Sequence, residues 1–360
     1  MPSAPHAPLD LNMIRKDIDA TLDAFLDDVQ HSALRPELAP LVEELRGFLR
    51  AGGKRIRPLL CVIGAHAADE NGTATSEGVL RLAASLEILH AAVLIHDDII
   101  DGSPTRRDRR TAHRGLAAHC QAGTPAAAAA RFGSCAALLL GDLAAAWSER
   151  AVGTAHFTPQ QLRDVVPLLD AVRSEVLSGQ YLDLVATGHP STDLDAALAI
   201  TRCKTAHYTV ERPLQIGAAF AEAGAEVLDA CSAFGIPLGE AFQLRDDLLG
   251  VFGAPAETGK PALDDLREGK HTPLTALALQ RAAPAQRETL HALLGKPDLD
   301  DSEATTVRDI LTATGARETI EEMISDRRHQ ALAVLDEGPF HPAATTALRT
   351  LADAATRRAA

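Results

Sequence analysis

A chain of 360 residues with 46% hydrophobic and 23% charged side chains can bury a sizeable core. Its formal net charge of -14 excludes non-specific attraction to nucleic acid or anionic lipid, both of which need a basic surface. Only 3% of the residues are aromatic, so the core is expected to consist of Ala, Leu and Val.

Residues 1–10 are expected to be a flexible arm, because Met1 to Pro8 is Pro/Ala-rich and lacks the basic-then-apolar layout of a signal peptide. No linker divides residues 11–360, which are read as one domain. No stretch approaches the roughly 18 uncharged apolar residues of a membrane span, so no stable membrane insertion is expected. Cys61, Cys120, Cys135, Cys203 and Cys231 show neither a C-x-x-C spacing nor a disulfide framework, and read as small buried hydrophobes in a reducing cytoplasm.

Along the chain, apolar residues recur with helical spacing, as in Leu80, Ala83, Ala84, Leu86, Ile88, Leu89 and Val93, and strict two-residue alternation is missing. This predicts an all-α architecture of about a dozen helices. The longest are expected near residues 76–102, 126–150, 158–187, 201–223 and 237–252. Thr158-Pro159-Gln160-Gln161 carries an N-cap, a first-turn proline and a capping-box glutamine, while Pro167 should kink that helix or mark a later start.

The first segment with chemical character is Gly52-Gly53-Lys54-Arg55-Ile56-Arg57-Pro58, a glycine pair and three cations suited to gripping a phosphate without metal. It lacks the spacing of a Walker loop. Next, Asp97-Asp98-Ile99-Ile100-Asp101 closes an almost uncharged helical run. Asp97 and Asp101 are four apart, so their carboxylates share one helix face and can share metal ions. Asp98 lies about 100° round and suits a supporting role. Acidic groups at a helix C-terminus oppose the macrodipole, which disfavours a merely structural reading. Oxygen-only ligands suit magnesium, which binds through one or two carboxylates plus substrate phosphates.

Arg106-Arg107-Asp108-Arg109-Arg110 follows within reach of an anion bound at those carboxylates. A second acidic pair, Asp246-Asp247, comes after Phe242-Gln243-Leu244-Arg245 in another apolar run. Lys204-Thr205, Lys260 and Lys270 gain weight only through joint placement. From about Ala283 onward the helical patterns are amphipathic and carry no identifiable chemistry, and Asp298-Leu299-Asp300-Asp301 reads as a solvated turn.

Taken together these landmarks resemble the trans-isoprenyl diphosphate synthases, or polyprenyl synthetases. The matching residues run in family order over roughly 50–275: Gly52 to Pro58, Glu87-x-x-His90, Asp97-Asp98-x-x-Asp101, Arg106-Arg107, Gln180-x-x-Asp183, Lys204-Thr205, Phe242-Gln243-x-x-Asp246-Asp247, Gly259-Lys260 and Lys270. The resemblance implies a single-domain helical bundle around a deep central cavity, usually homodimeric, with three magnesium ions. It implies Asp97, Asp101 and Asp246 as metal ligands, supported by Asp98, Asp247 and Asp264. Arg106, Lys204 and Lys260 would hold an allylic diphosphate; Lys54, Arg57, His90 and Arg107 would hold isopentenyl diphosphate. Thr205, Gln180 and Gln243 would line the zone where carbons react. Two departures stand out: Gly250 replaces the third aspartate that many members carry in the second motif, and Asp108 and Arg110 replace the glycine and proline usual after the arginine pair.

In that family the side chains four and five residues upstream of the first aspartate act as a floor for the growing chain. Here they are Val93 and Ala92, roughly 6 to 7.5 Å below Asp97. Neither is aromatic, which disfavours a farnesyl product and implies geranylgeranyl diphosphate, with a longer polyprenyl product as the alternative. Leu89, Leu86 or a facing helix around Phe132 to Leu140 would supply the next stop. A terpene cyclase would not need the second diphosphate site, and a non-catalytic subunit would have lost an aspartate motif.

Overall fold

The computed structural model describes residues 8–32, 35–68, 75–253 and 263–356. The expected arm therefore lies outside the described residues up to position 7, as does Gly259-Lys260. Asp10 is already structural: its carboxylate accepts the Asn12 and Met13 N–H groups and caps the first helix.

In chain order the helices are α1 (Leu11–His31), α2 (Ala39–Arg50), α3 (Ile56–Ala68), α4 (Glu77–Ile100), α5 (Ala112–Ala117), α6 (Ala126–Gly153), α7 (Pro159–Ala186) and α8 (Leu194–Thr201). A π-helix, Arg202–Glu211, leads into α9 (Arg212–Phe220) and α10 (Ala225–Phe252). Shorter and longer helices follow at Asp264–Glu268, Pro273–Arg281, Pro284–Leu293, Asp301–Ala313, Ala316–Glu337 and Pro342–Thr356. The all-α expectation is met. The capping box at Thr158 forms as expected, with Thr158 accepting from the Gln161 N–H and Gln161 accepting in return.

The structure differs from the sequence reading at three places. The helix expected from 237 starts at Ala225 and carries Pro237 inside it, and Pro167 is likewise interior to α7. The helix expected over 201–223 is split, because its first ten residues adopt π rather than α geometry. A two-stranded hairpin, Thr105–Arg106 against Arg109–Arg110, turns through Arg107 and Asp108 at φ 51° and 60°. Both turn residues being left-handed is what a tight two-residue hairpin demands.

The largest hydrophobic cluster joins α1 through α7 with Tyr208 and Phe220. A second joins the C-terminal half of α10 to the helices between 273 and 324, and a third ties α3 and α9 to the last two helices. The C-terminal third therefore serves as packing: Ala316–Glu337 lies along α10, where Arg245 forks onto Glu321 at 2.7 and 2.5 Å. Two helices, α4 and α6, are long and apolar enough to cross a membrane by length and composition. In the fold α4 is a core helix, whereas α6 keeps most of its apolar window exposed.

Candidate active site

The first acidic wall is the last turn of α4. Asp98 is fully buried and receives Arg106 through Nε at 2.7 Å and Nη2 at 2.6 Å. It is thus the anchor of Arg106, which then reaches Asp97 at 3.3 Å. Asp97 also accepts from Gln180 Nε2 at 2.9 Å and faces Lys204 Nζ at 3.5 Å. Burial would raise the Asp97 carboxyl, but Lys204, Arg106 and Lys270 outweigh it and hold it below the ordinary range. Asp101 has fewer counter-charges: burial and the Asp97 charge push it up to about 6.

The π-helix supplies the next parts. Lys204 Nζ bonds Asp183 Oδ2 at 2.6 Å, and burial is overcome by Asp97 and Asp183, so its ammonium is held above the ordinary lysine range. Thr205 Oγ1 donates to Gln243 Oε1 at 2.6 Å, and Gln243 Nε2 donates to Asp247 Oδ1 at 2.8 Å. This chain carries the π-helix to the second acidic pair on α10. Burial pushes the Asp247 carboxyl up to about 7; the Gln243 bond opposes this, while Asp265 and Asp246 add to it.

Lys270 joins the two walls. Its Nζ lies 4.0 Å from Asp101, 3.5 Å from Asp265 and 3.0 Å from Glu268. The supporting role expected of Asp264 is geometrically open to its neighbour Asp265, whose carboxylate fills the space beside Gly250. Among the described residues no three carboxylate, imidazole or thiol ligands already converge on one point; lysines stand between the carboxylates instead.

A second basic cluster sits apart from these walls. The Arg57 guanidinium stacks 4.2 Å from the Tyr208 ring centroid and donates to Thr209 at 2.6 Å, leaving its Nε buried without a hydrogen-bond partner. His90 Nδ1 meets the Tyr208 hydroxyl at 3.2 Å. Burial, then the charges of Arg57 and Arg107, hold this imidazole well below its ordinary range, so it is neutral. Arg107 caps the Gly52 carbonyl beside Lys54, which is exposed. Arg55, the third cation of this segment, is used up internally: it binds Glu87 at 2.6 Å, Asp19 at 2.9 Å and the Leu49 carbonyl at 2.6 Å.

Asp183 stands in the Gln180-x-x-Asp183 landmark, but its bond to Lys204 and the places of Tyr208, Asp265 and Glu268 emerge only in the fold. Tyr208 was signalled by its place four residues after Lys204, and Asp265 was hidden by the ambiguity of an aspartate doublet. Ala92 is buried and Val93 half-buried on α4. The facing segment considered as a deeper stop is only partly turned inward: Phe132, Leu138 and Leu139 are exposed on α6, and Leu140 is the buried one.

Residues 39–311 match the polyprenyl synthetase family. The geranylfarnesyl diphosphate synthase of Aeropyrum pernix is 34% identical over 260 residues, 71% of this chain and 74% of that protein. The nonaprenyl diphosphate synthase of Mycobacterium tuberculosis is 28% identical over 88% of this chain and 87% of its own. The crystal structure of a geranylgeranyl pyrophosphate synthase from Corynebacterium glutamicum, complexed with isoprenyl diphosphate and magnesium, superimposes with a TM-score of 0.92 at 39% identity, covering 98% of this chain and 100% of that one. Acidic walls joined by lysines, a separate basic cluster and these likenesses agree, and the chain belongs to the polyprenyl synthetase family as a trans-prenyl diphosphate synthase, a transferase.

Proposed function

We propose that this enzyme condenses isopentenyl diphosphate with dimethylallyl, geranyl or farnesyl diphosphate, in the cytoplasm, to give all-trans geranylgeranyl diphosphate. The observation that carries the reading is the pairing of two basic environments. One, Arg106, Lys204 and Lys270, lies among the carboxylates. The other, Arg57, His90, Arg107 and Lys54, lies around Tyr208 and the Gly52 loop. A cyclase needs only the first.

The donor set suits magnesium: Asp97, Asp101 and Asp246 offer oxygen ligands, and Gln180 Oε1 beside Asp97 is buried without a hydrogen-bond partner. Three ions are expected with diphosphate bound, and they would supply charge neutralisation for the departing diphosphate. Arg106, held by Asp98, and Lys204, held by Asp183, would add positive charge for the same diphosphate as its negative charge develops. Thr205 and Gln243 border the reacting carbons, and neutral His90 donates or accepts a hydrogen bond to the second substrate without adding charge near an allylic cation. Ala92 and Val93, the floor positions implied by the resemblance, are not aromatic, which favours a chain beyond fifteen carbons.

Phe132, Leu138 and Leu139 on α6 and Leu177, Tyr181 and Leu184 on α7 are exposed large apolar side chains, which we assign to a homodimer contact. The reaction is tested by incubating the protein with magnesium, isopentenyl diphosphate and each allylic diphosphate in turn, then sizing the dephosphorylated products. Asp97→Ala should abolish ionisation of the allylic substrate, and Lys54→Ala should chiefly raise KM for isopentenyl diphosphate. Full turnover in both would refute the assignments.

A further inference from the structure

The π-helix has a spatial requirement that the two neighbouring helices meet with glycine. A π-turn closes through i→i+5 hydrogen bonds, as in the Arg212 N–H to the His207 carbonyl, so its backbone is wider than an α-helix and crowds whatever packs on it. A Cβ built on Gly179 of α7 would lie 2.6 Å from the Lys204 nitrogen and 2.8 Å from its Cα. One on Gly239 of α10 would collide with the Ala206 Cα and lie 2.8 Å from the Ala206 Cβ and 3.1 Å from the Ala206 carbonyl. One on Gly235 would lie 2.7 Å from the Glu211 Cα. The obstacles are backbone or Cβ atoms, which cannot rotate away as the end of a long side chain can.

We propose that Gly179 and Gly239 are positioning residues of the prenyl-transfer site: by accepting the widened backbone from opposite sides, they set where Lys204 and Thr205 project. Gly179 precedes Gln180 and lies one turn before Asp183, so the helix that touches the Lys204 backbone also supplies the Asp183 partner of its ammonium. Gly239 lies one turn before Gln243, the partner of Thr205. Each glycine contact is therefore in register with one side-chain bond, and a shift at either moves both reacting-zone groups together. The inference rests on the reading that Lys204 serves the allylic diphosphate.

Gly239→Ala and Gly179→Ala test it, with Gly153→Ala, where a methyl meets open space, as control. Kinetics are measured with each substrate varied, alongside far-UV circular dichroism. A displacement near 1 Å can cost about 100-fold in rate. We expect kcat/KM for the allylic substrate to fall 10- to 100-fold, KM for isopentenyl diphosphate to stay within about twofold, and the control to match wild type. Ala206→Gly added to Gly239→Ala removes the opposing Cβ but not the closer Cα, so it should recover only a minor part of the loss. Unchanged allylic kinetics or an equal loss towards both substrates would overturn the inference, as would full recovery in the double variant, which would reduce the contact to a single methyl clash. Should either alanine variant fail to fold, Ala206→Gly alone, which needs no new space, should loosen the π-helix and raise the allylic KM severalfold; no change would count against it. Lys204→Ala separates the two layers: if it spares allylic kinetics the site assignment itself fails, whereas its loss beside unaffected glycine variants defeats only the positioning role.

Discussion

Replacing Gly250 by alanine should expose how the second acidic wall is assembled. Gly250 lies one turn after Asp246 on the same face of α10, where an added Cβ would collide with Asp265 Oδ2 and sit 3.0 Å from its Cγ. Making room costs about 1–3 kcal/mol by overpacking, offset by about 0.5–1 kcal/mol of helix propensity gained over glycine. Displacing Asp265 also loosens its 3.5 Å pair with Lys270, worth at most about 1 kcal/mol at this partial burial. The net expectation is a loss of about 1–2 kcal/mol. Asp265→Ala vacates the space the new methyl needs, so the double variant should be less destabilised than the sum of the singles by about 1 kcal/mol or more. Urea unfolding midpoints of the four proteins measure this, and additivity within about 0.5 kcal/mol would refute the claim that Asp265 occupies the side-chain place of residue 250.

Ala92→Phe should shorten the product towards fifteen carbons, at a cost of about 1–3 kcal/mol because the site is buried; unchanged product length in a folded variant would remove Ala92 as the floor. Asp108→Gly should raise stability by about 1 kcal/mol, since φ 60° is left-handed backbone that glycine adopts without penalty, and thermal unfolding that shows no gain would deny strain in the hairpin. His90 stays neutral in the fold because burial and its arginines lower its proton affinity. Its contribution is therefore complete above about pH 6.5 and lost as pH falls, since only the unfolded chain takes up the proton. His90→Gln should flatten the acid limb of the stability curve, and an unaltered limb would assign that slope to other groups.

Much of the site was legible because its logic is local. Asp97 and Asp101 share a face by helical periodicity alone, and the burial of Asp98 under Arg106 follows from its place about a third of a turn away. The capping box at Thr158 is likewise a four-residue statement. Illegible features depend on long-range packing. Nothing in Arg202–Glu211 distinguishes π from α geometry, because the widened turn is permitted by glycines about 25 to 35 residues away in the chain. Arg55 looked equivalent to Lys54 and Arg57, yet Glu87, distant in sequence, claims it. Phe132, Leu138 and Leu139 satisfied the apolar pattern of a core helix, and only the fold shows that they face outward.

The lysines between the acidic walls compensate the clustered carboxylates within the fold itself. Buried carboxylates left uncompensated are costly, and removing one partner of a buried ion pair typically loses about 3–5 kcal/mol. Lys204 answers Asp97 and Asp183, and Lys270 answers Asp101, Asp265 and Glu268, so the α4 wall is met by both lysines and Lys270 links it to the carboxylates at 265 and 268. Lys270 is the more heavily committed: these carboxylates overcome the effect of burial and hold its ammonium well above the ordinary range. Lys270→Ala should therefore lower stability by about 1–3 kcal/mol at neutral pH, because Asp101, Asp265 and Glu268 then repel one another across the gap. Added magnesium should return more of that loss than it contributes to wild type, since the ion meets carboxylates that have lost their internal partner. Melting temperatures with and without magnesium decide the point. An equal magnesium shift in both proteins would mean that Lys270 does not occupy the electrostatic place of a cation, and that the walls are held apart by packing alone.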